Sequence, residues 1–234
     1  LGPRMGTYIR YAHEAMVGIL ALEAYRAGAL VVGEDLGTVE PWVRAYLRER
    51  GIMGTSVLWF ENGEDGNPLA PEQWREYAMS SVTTHDLPPT TGYLAGDHVE
   101  VRSELGLLTE SVEYERAAAA RQTAAWIAIL RARGVLAGDN PSEEEIVLAM
   151  HRMLTRTPSK VLNVTLTDAV GDRRTQNLPG TTNEYPNWRV PLSHPDGSPM
   201  WLEEVFTDER AARLSQVMNE KSPSCVTGER LARA

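Results

Sequence analysis

The sequence has a single cysteine, no long apolar run and no cluster of basic residues. The cysteine, Cys225, cannot form an internal disulfide, so nothing in the composition requires an oxidising compartment. No run approaches the roughly 18 apolar residues of a membrane-spanning helix. The first residues, Leu1 to Arg4, include no methionine and lack the basic-then-apolar pattern of a secretory signal. We therefore expect a cytoplasmic protein, and a sequence that begins within a longer polypeptide.

The charge balance argues against nucleic acid as a partner. The chain has 23 Lys and Arg residues against 32 Asp and Glu residues, a net charge of -9, and no basic run that would attract a polyanion. Apolar residues make up 42% and charged residues 24% of the chain, which is typical of a globular protein and excludes a collagen-like or disordered chain. Neutral substrates such as sugars remain compatible with this composition.

Four short segments rich in apolar and β-branched residues predict buried strands. They cover residues 29–32, 55–60, 80–84 and 161–166. The first three begin about 25 residues apart with helical patterns between them, the spacing of β/α units whose strands pair in parallel. The sequence therefore predicts an α/β protein. Four strands are too few for a closed eight-stranded barrel, so either the sheet is open or part of a barrel is missing.

Helical periodicity and end signals predict the helices. The longest has an alanine-rich apolar side, and a capping box of Ser142 and Glu145 marks the start of another. The predicted helices are 9–27, 41–50, 72–77, 111–133, 142–154 and 208–218.

Two acidic residues directly follow predicted strands. Glu34 comes after the first strand and Asp86 after the third, at the edge where parallel sheets and barrels build their sites. A carboxyl group partly removed from water at this edge could stay protonated near neutral pH and act as a general acid. Alternatively, each acid could simply cap backbone N–H groups in a turn or at the start of the next helix.

The remaining motifs indicate neither a metal site nor a nucleotide site. The five histidines are scattered, without an HExxH pattern or a cysteine pair beside them. Neither GxGxxG nor GxxxxGKS/T occurs, so no phosphate-binding loop is predicted. Trp59, at the end of the second predicted strand, could stack on a sugar or belong to the core, and the pattern favours the core.

Three motifs occur in order along the chain. They are VVGEDLGTV at 31–39, TTHDLPPT at 83–90 and QNLPGTTNEYPNWR at 176–189. Together they resemble the motifs of the 4-α-glucanotransferases, also called amylomaltases or disproportionating enzymes. The resemblance extends over nearly the whole chain to about Met218, and the sequence looks like the actinobacterial type.

The resemblance implies an architecture as well as an activity. The family has a (β/α)8 TIM barrel, and this chain would hold strands five to eight as its C-terminal half. Residues 1–221 would form this partial catalytic barrel, with a helical insertion at about 97–157. Residues 222–234 would form a flexible tail. The family transfers α-1,4-glucan segments between maltooligosaccharides by a retaining mechanism, with no cofactor and no metal.

The same resemblance assigns roles to individual residues. Glu34 corresponds to the general acid/base and Asp86 to the carboxylate that stabilises the transition state. Chemistry suits these types, because the glycosidic oxygen must be protonated and the oxocarbenium charge must be balanced. The positions that would bind substrate are His85, Asp35, Trp59 and Asn177, and the resemblance implies that Asn177 lies on the acceptor side.

Two departures from the family pattern affect the expected activity. The nucleophilic aspartate is expected upstream of Gly6-Thr7-Tyr8, outside this sequence, and Ala12 stands where close relatives are expected to have aspartate. We therefore expect negligible turnover from these 234 residues alone. The alternatives are a silent half barrel that only binds carbohydrate, an association through its exposed edge with itself or a partner, and an unrelated inverting hydrolase that uses Glu34 and Asp86.

Overall fold

The structure, a computed structural model, describes residues 9–37, 39–64, 66 and 68–220. These residues form an α/β fold of four strands and nine α-helices. In chain order the elements are α1 (His13–Ala27), β1 (Val31–Val32), α2 (Pro41–Glu49), β2 (Ile52–Val57), β3 (Ala78–Ser81), α3 (Thr90–Ala95), α4 (Asp97–Glu104), α5 (Val112–Ala132), α6 (Glu143–Leu154), β4 (Val161–Leu162), α7 (Leu166–Val170), α8 (Leu202–Val205) and α9 (Glu209–Met218).

The strands form one sheet in the order β1-β2-β3-β4. β1 and β2 pair in parallel, with Val31 opposite Ile52 and Val32 opposite Met53. Beyond β1 the ladder continues, because the Gly33 amide donates to the Met53 carbonyl at 2.8 Å. The neighbouring strands are consecutive along the chain, as expected for successive β/α units.

By internal contacts the chain divides into two compact units. The first comprises the described residues up to Thr55 together with Tyr77–Met79, and the second comprises Ser56–Glu76 and the described residues from Ser80 onward. In the first unit, α1 ends at Gly28, whose φ of 61° suits a residue without a side chain. None of the α1 residues is buried.

The second unit contains a helical core centred on α6. Seven α6 residues are buried, and the predicted capping box at its start is confirmed: the Ser142 hydroxyl accepts from the Glu145 amide, and the Glu145 carboxylate accepts from the Ser142 amide. α4, α5 and α6 lie within residues 97–157, where the helical insertion is predicted. The predicted tail, 222–234, lies outside the described residues.

Three strands end earlier than predicted: β3 ends at Ser81, and β2 and β4 end within their apolar runs. β2 ends at Val57, and Leu58–Phe60 form a 3₁₀ turn, while β4 ends at Leu162 and α7 begins at Leu166. In both cases the chain has passed the end of its ladder, and its apolar residues continue into a helical turn. Within the described residues, no helix combines the length and the apolar character needed to cross a membrane.

Candidate functional site

The loop after β1 holds two acids in very different surroundings. Glu34 is exposed, and among the described residues no hydrogen bond or ion pair reaches its carboxylate. Asp35, the next residue, is only 2% exposed. Adjacent residues on an extended loop point to opposite sides, so burial of one accompanies exposure of the other.

Asp35 is engaged inside the first unit. Its Oδ1 accepts from the Thr55 amide at 2.9 Å, and its Oδ2 lies 3.3 Å from the Arg44 guanidinium. Arg44 also donates to the Asp35 carbonyl at 3.2 Å. The sequence predicts that Asp35 binds substrate. In the structure its carboxylate is buried and already paired, so Asp35 is suited to anchoring the loop that presents Glu34.

In the second unit, Asp86 lies among polar partners. The Asn177 side-chain amide donates to Asp86 Oδ1 at 2.6 Å, and His85 Nε2 lies 3.4 Å from the same oxygen. The Asn177 backbone amide donates to the His85 carbonyl at 3.2 Å. Three of the predicted site residues therefore lie together. Asn177 follows Asp86 by 91 positions, and one side-chain and one backbone hydrogen bond connect the two segments.

Buried hydrogen bonds fix the loop that carries His85 and Asp86. The buried Thr83 hydroxyl donates to the Pro88 carbonyl at 2.9 Å and so closes the loop. The buried Asp168 carboxylate accepts from the Thr90 amide at 2.7 Å and from the Thr90 hydroxyl at 2.6 Å. These bonds satisfy polar groups that burial would otherwise leave unpaired.

Asp168 faces a buried histidine. His151 Nε2 lies 3.7 Å from Asp168 Oδ2, and His151 Nδ1 lies 2.8 Å from the Val147 carbonyl. Burial raises the pKa of Asp168 and lowers the pKa of His151, because a low-polarity interior disfavours both charged forms. The pair therefore belongs to the framework under the loop and not to its solvent-facing surface.

A second buried carboxylate fixes the loop that carries Asn177. Asp172 accepts from the amides of Arg174 and Ser193, each at 2.9 Å. Its backbone carbonyl accepts from the Thr91 hydroxyl at 2.8 Å. A Cβ added at Gly92 would clash with the Arg173 carbonyl oxygen, so this close approach requires glycine.

Trp59 lies in the core of the second unit. It is 8% exposed, with its ring 4.4 Å from the ring of Tyr93 and 5.6 Å from that of Trp126. The sequence left open whether Trp59 lines the cleft or belongs to the core. The structure places it in the core. The bulky partners explain why, since an aromatic cluster buries more apolar area than an exposed ring.

Trp188 lies beside this group of residues, and the sequence alone does not single it out. Its ring lies 5.2 Å from the His85 ring and is 65% exposed. Its φ is 60°, and within the described part of the chain it alone among non-glycine residues has a positive φ. The only available signal was its place in the motif at 176–189.

An open cavity of about 320 Å³ lies beside His85. Its wall combines residues of the loop after β3 with Thr165 and Leu166, which follow β4, and with Gln176 and Leu192. The ends of these strands therefore border a concave surface, as expected at the carboxyl edge of a parallel sheet.

Sequence comparisons identify the family of the chain. The 4-alpha-glucanotransferase family model, glycoside hydrolase family 77, matches residues 2–195. The 4-alpha-glucanotransferase of Mycobacterium tuberculosis is 64% identical over 227 residues, which cover 95% of this chain and 31% of that protein. The enzyme of Haemophilus influenzae is 32% identical over 206 residues, which cover 81% of this chain and 28% of that protein.

A solved structure matches in the same way. The crystal structure of amylomaltase from Corynebacterium glutamicum aligns with a TM-score of 0.85 and 42% identity, over 92% of this chain and 33% of that one. The chain thus spans about a third of the length of the relatives it matches. The predicted fold class, an α/β fold corresponding to part of a (β/α)8 barrel, is confirmed. Because the family model covers most of the sequence, the chain belongs to the 4-alpha-glucanotransferase family.

Proposed function

We propose that this chain supplies two of the catalytic carboxylates of a cytoplasmic 4-alpha-glucanotransferase, which moves α-1,4-glucan segments between maltooligosaccharides with retention of configuration. Family membership and the names of the relatives support the reaction class. The observation that carries the assignment to this region is the contact of Asp86 with Asn177 and His85, two polar partners set beside one carboxylate.

Glu34 is the proposed general acid and base. In the first step it gives its proton to the glycosidic oxygen as the bond to the anomeric carbon breaks. In the second step it takes a proton from the hydroxyl of the incoming sugar, whose oxygen then attacks the anomeric carbon. Glu34 is exposed and no hydrogen bond or ion pair reaches its carboxylate among the described residues, so the carboxyl group is open to the oxygen that receives its proton.

Asp86 is the proposed transition-state stabiliser. The sugar ring develops positive charge as the glycosidic bond breaks, and a carboxylate that stays ionised balances it. The Asn177 amide donates to Asp86 Oδ1 at 2.6 Å and holds the carboxylate in one orientation. Preorganisation of this kind avoids reorientation of dipoles during the reaction.

A retaining mechanism also needs a nucleophile, which forms a covalent bond to the anomeric carbon in the first step and is released in the second. The family resemblance puts this aspartate upstream of residue 6, in the part of the relatives that this chain does not cover. We therefore expect no measurable transfer by a polypeptide of these 234 residues alone, and transfer when the missing part is supplied.

The test is a hybrid enzyme, the Mycobacterium tuberculosis 4-alpha-glucanotransferase with its matching segment replaced by this chain. We expect the hybrid to convert maltotriose into glucose and longer oligosaccharides. Glu34→Gln should lower the rate by about 10³, the scale of a lost general acid. The exposed Glu203 in α8 provides a matched control, Glu203→Gln, with unchanged rate. A folded hybrid without transfer, or an E34Q variant at full rate, would contradict the proposal.

The isolated chain should also associate through α1. The α1 helix exposes several large apolar side chains, among them Met16 at 59% and Ile19 at 64%. Several exposed apolar side chains on one helix are typical of a surface that contacts another polypeptide. We expect size-exclusion chromatography of the 234-residue polypeptide to show dimers or larger species, and Ile19→Glu to shift them toward monomer. A monomer at all concentrations would refute this association.

A further inference from the structure

The stability of the fold does not explain why a tryptophan occupies the exposed position 188. An indole ring that is 65% exposed gains little from burial. Its backbone has a φ of 60°, which bulky residues rarely adopt because the side chain crowds the backbone. Glycine or asparagine would fit this backbone with less strain, so the tryptophan ring itself calls for another explanation.

The strained conformation is imposed from both sides. The Trp188 amide donates to the Gln176 carbonyl at 2.9 Å. On the preceding residue, Asn187 Oδ1 accepts from the Leu178 amide at 2.7 Å and its Nδ2 donates to the Thr181 hydroxyl at 2.8 Å. Trp188 is thus tied to the same short stretch that holds Asn177, and the position of its ring is fixed relative to that residue.

The ring lies beside the polar groups of the site. Its centroid is 5.2 Å from that of His85, whose Nε2 lies 3.4 Å from Asp86 Oδ1, and Asn177 donates to the same oxygen. An aromatic face next to hydrogen-bonding groups suits a sugar, whose C–H groups pack on the ring while its hydroxyls reach the polar partners. Water has hydroxyl groups but no apolar face to pack.

We propose that Trp188 is the platform on which the acceptor sugar lies, and that it makes a sugar hydroxyl the preferred nucleophile over water. This inference rests on the proposed function, and it takes Asn177 as a position on the acceptor side, as the family resemblance implies. The platform acts at the second step, where an oriented hydroxyl competes with water for the glycosyl-enzyme intermediate. It therefore determines transfer against hydrolysis and not the rate at which the donor is cleaved.

The test compares Trp188→Leu and Trp188→Phe in the hybrid enzyme, with glucose as acceptor. For W188L we expect the KM for the acceptor to rise about tenfold, and the ratio of hydrolysis to transfer to rise by about the same factor, the effect of losing one partly buried aromatic contact. W188F, which keeps an aromatic face, should stay within about threefold of the parent. Equal falls in hydrolysis and transfer, or an unchanged ratio in W188L, would overturn the proposal.

Two further variants separate this role from a structural one. Trp188→Asn accepts the positive φ without strain, so it should melt no lower than the parent and still show the raised acceptor KM. Trp201→Leu removes another exposed tryptophan, 72% exposed at the start of α8, and should leave the ratio unchanged. A W188N variant with normal acceptor KM would refute the platform. If the parent hybrid fails to transfer at all, it is the proposed function that fails.

Discussion

The two proposed catalytic carboxylates lie in loops that hold them differently: one carboxylate accepts a hydrogen bond, and the other accepts none among the described residues. Glu34 is free of hydrogen bonds among the described residues, and its loop is anchored one residue further on by Asp35. Asp86 has an amide donor at 2.6 Å, and its loop is fixed by buried groups such as Thr83 and Asp168. Both residues follow strands of one sheet, so the difference comes from the loops and not from the elements that carry them.

The difference corresponds to the difference in chemistry. A general acid must release and regain a proton in every cycle, and fixed donors on its carboxylate would favour the ionised form throughout. A transition-state stabiliser must stay ionised and stay in place, which is what fixed donors provide. The loop after β1 therefore leaves the Glu34 carboxylate without a hydrogen-bond donor among the described residues, while the loop after β3 holds the Asp86 carboxylate against the Asn177 amide.

The most direct test of this difference between Glu34 and Asp86 uses a donor whose cleavage needs little proton transfer to the leaving group. An activated donor such as α-maltosyl fluoride releases fluoride, a leaving group that needs little protonation. In the hybrid enzyme, we expect Glu34→Gln to regain most of its rate of initial fluoride release on this donor. Asp86→Asn should stay about 10³ below the parent with both donors, because the charge on the ring still develops. Equal recovery of both variants would remove the distinction between the two acids.

The next largest effect is expected from the donor that fixes Asp86. Asn177→Ala removes the 2.6 Å bond and should lower kcat/KM by about 10², the scale of one lost electrostatic contact in an active site. Asn177→Asp should be worse near neutral pH, because it sets two carboxylates against each other, and it should gain on N177A as the pH falls and the pair takes up a proton. Asn183→Ala, an exposed position in the same loop, is the matched control. An N177D variant that equals N177A at all pH values would show that the two side chains do not interact in the working enzyme.

The sequence predicts the strands and the long helices in the right order and places their ends less well. The predicted helix at 72–77 is wrong, because the chain forms only a 3₁₀ turn at Pro71–Gln73 before β3 begins. The second strand is predicted at 55–60 and lies at Ile52–Val57, because pairing with β1 begins before the β-branched run and the following apolar residues leave the sheet. The short helices α3 and α7 follow proline or threonine caps inside predicted loops, where local periodicity is too brief to register. The long helices with strong end signals, α5 and α6, are predicted within one or two residues.

For the site, the motifs point to the loops but not to the contacts within them. The sequence cannot tell that Asp35 is buried against Thr55 while its neighbour Glu34 is exposed, because adjacent acids look alike in one dimension. The platform residue Trp188 depends on a backbone conformation that no local pattern demands. What could be predicted came from strand ends and family motifs, and what could not came from contacts between distant segments.

A smaller effect concerns the framework beneath the Asp86 loop. Thr90 and Thr91 are adjacent and buried, and the Thr90 hydroxyl donates to the Asp168 carboxylate whereas the Thr91 hydroxyl donates to the Asp172 backbone carbonyl. We expect Thr90→Val to cost about 2 kcal/mol and Thr91→Val about 1 kcal/mol, because T90V leaves a buried carboxylate oxygen without its hydroxyl donor, whereas T91V removes one bond to a backbone carbonyl. Thermal unfolding of the hybrid variants measures the order. A T91V variant that is the less stable of the two would contradict this ranking.

The smallest effect is a pH dependence that belongs to the same framework. Burial lowers the pKa of His151 below its ordinary 6.5, so the unfolded chain binds a proton below that pH which the folded chain does not. Stability should therefore fall as the pH drops from above 6.5 toward the folded pKa of this histidine. Asp168, whose pKa burial raises, acts in the opposite direction: it favours the folded state increasingly as the pH falls through its folded pKa toward 3.8.

The variant His151→Asn removes the contribution of the histidine and keeps that of Asp168. We expect the melting temperature of the H151N hybrid to fall less than that of the parent between about pH 7.5 and 5.5, and parallel curves would show that His151 carries a proton in the folded protein.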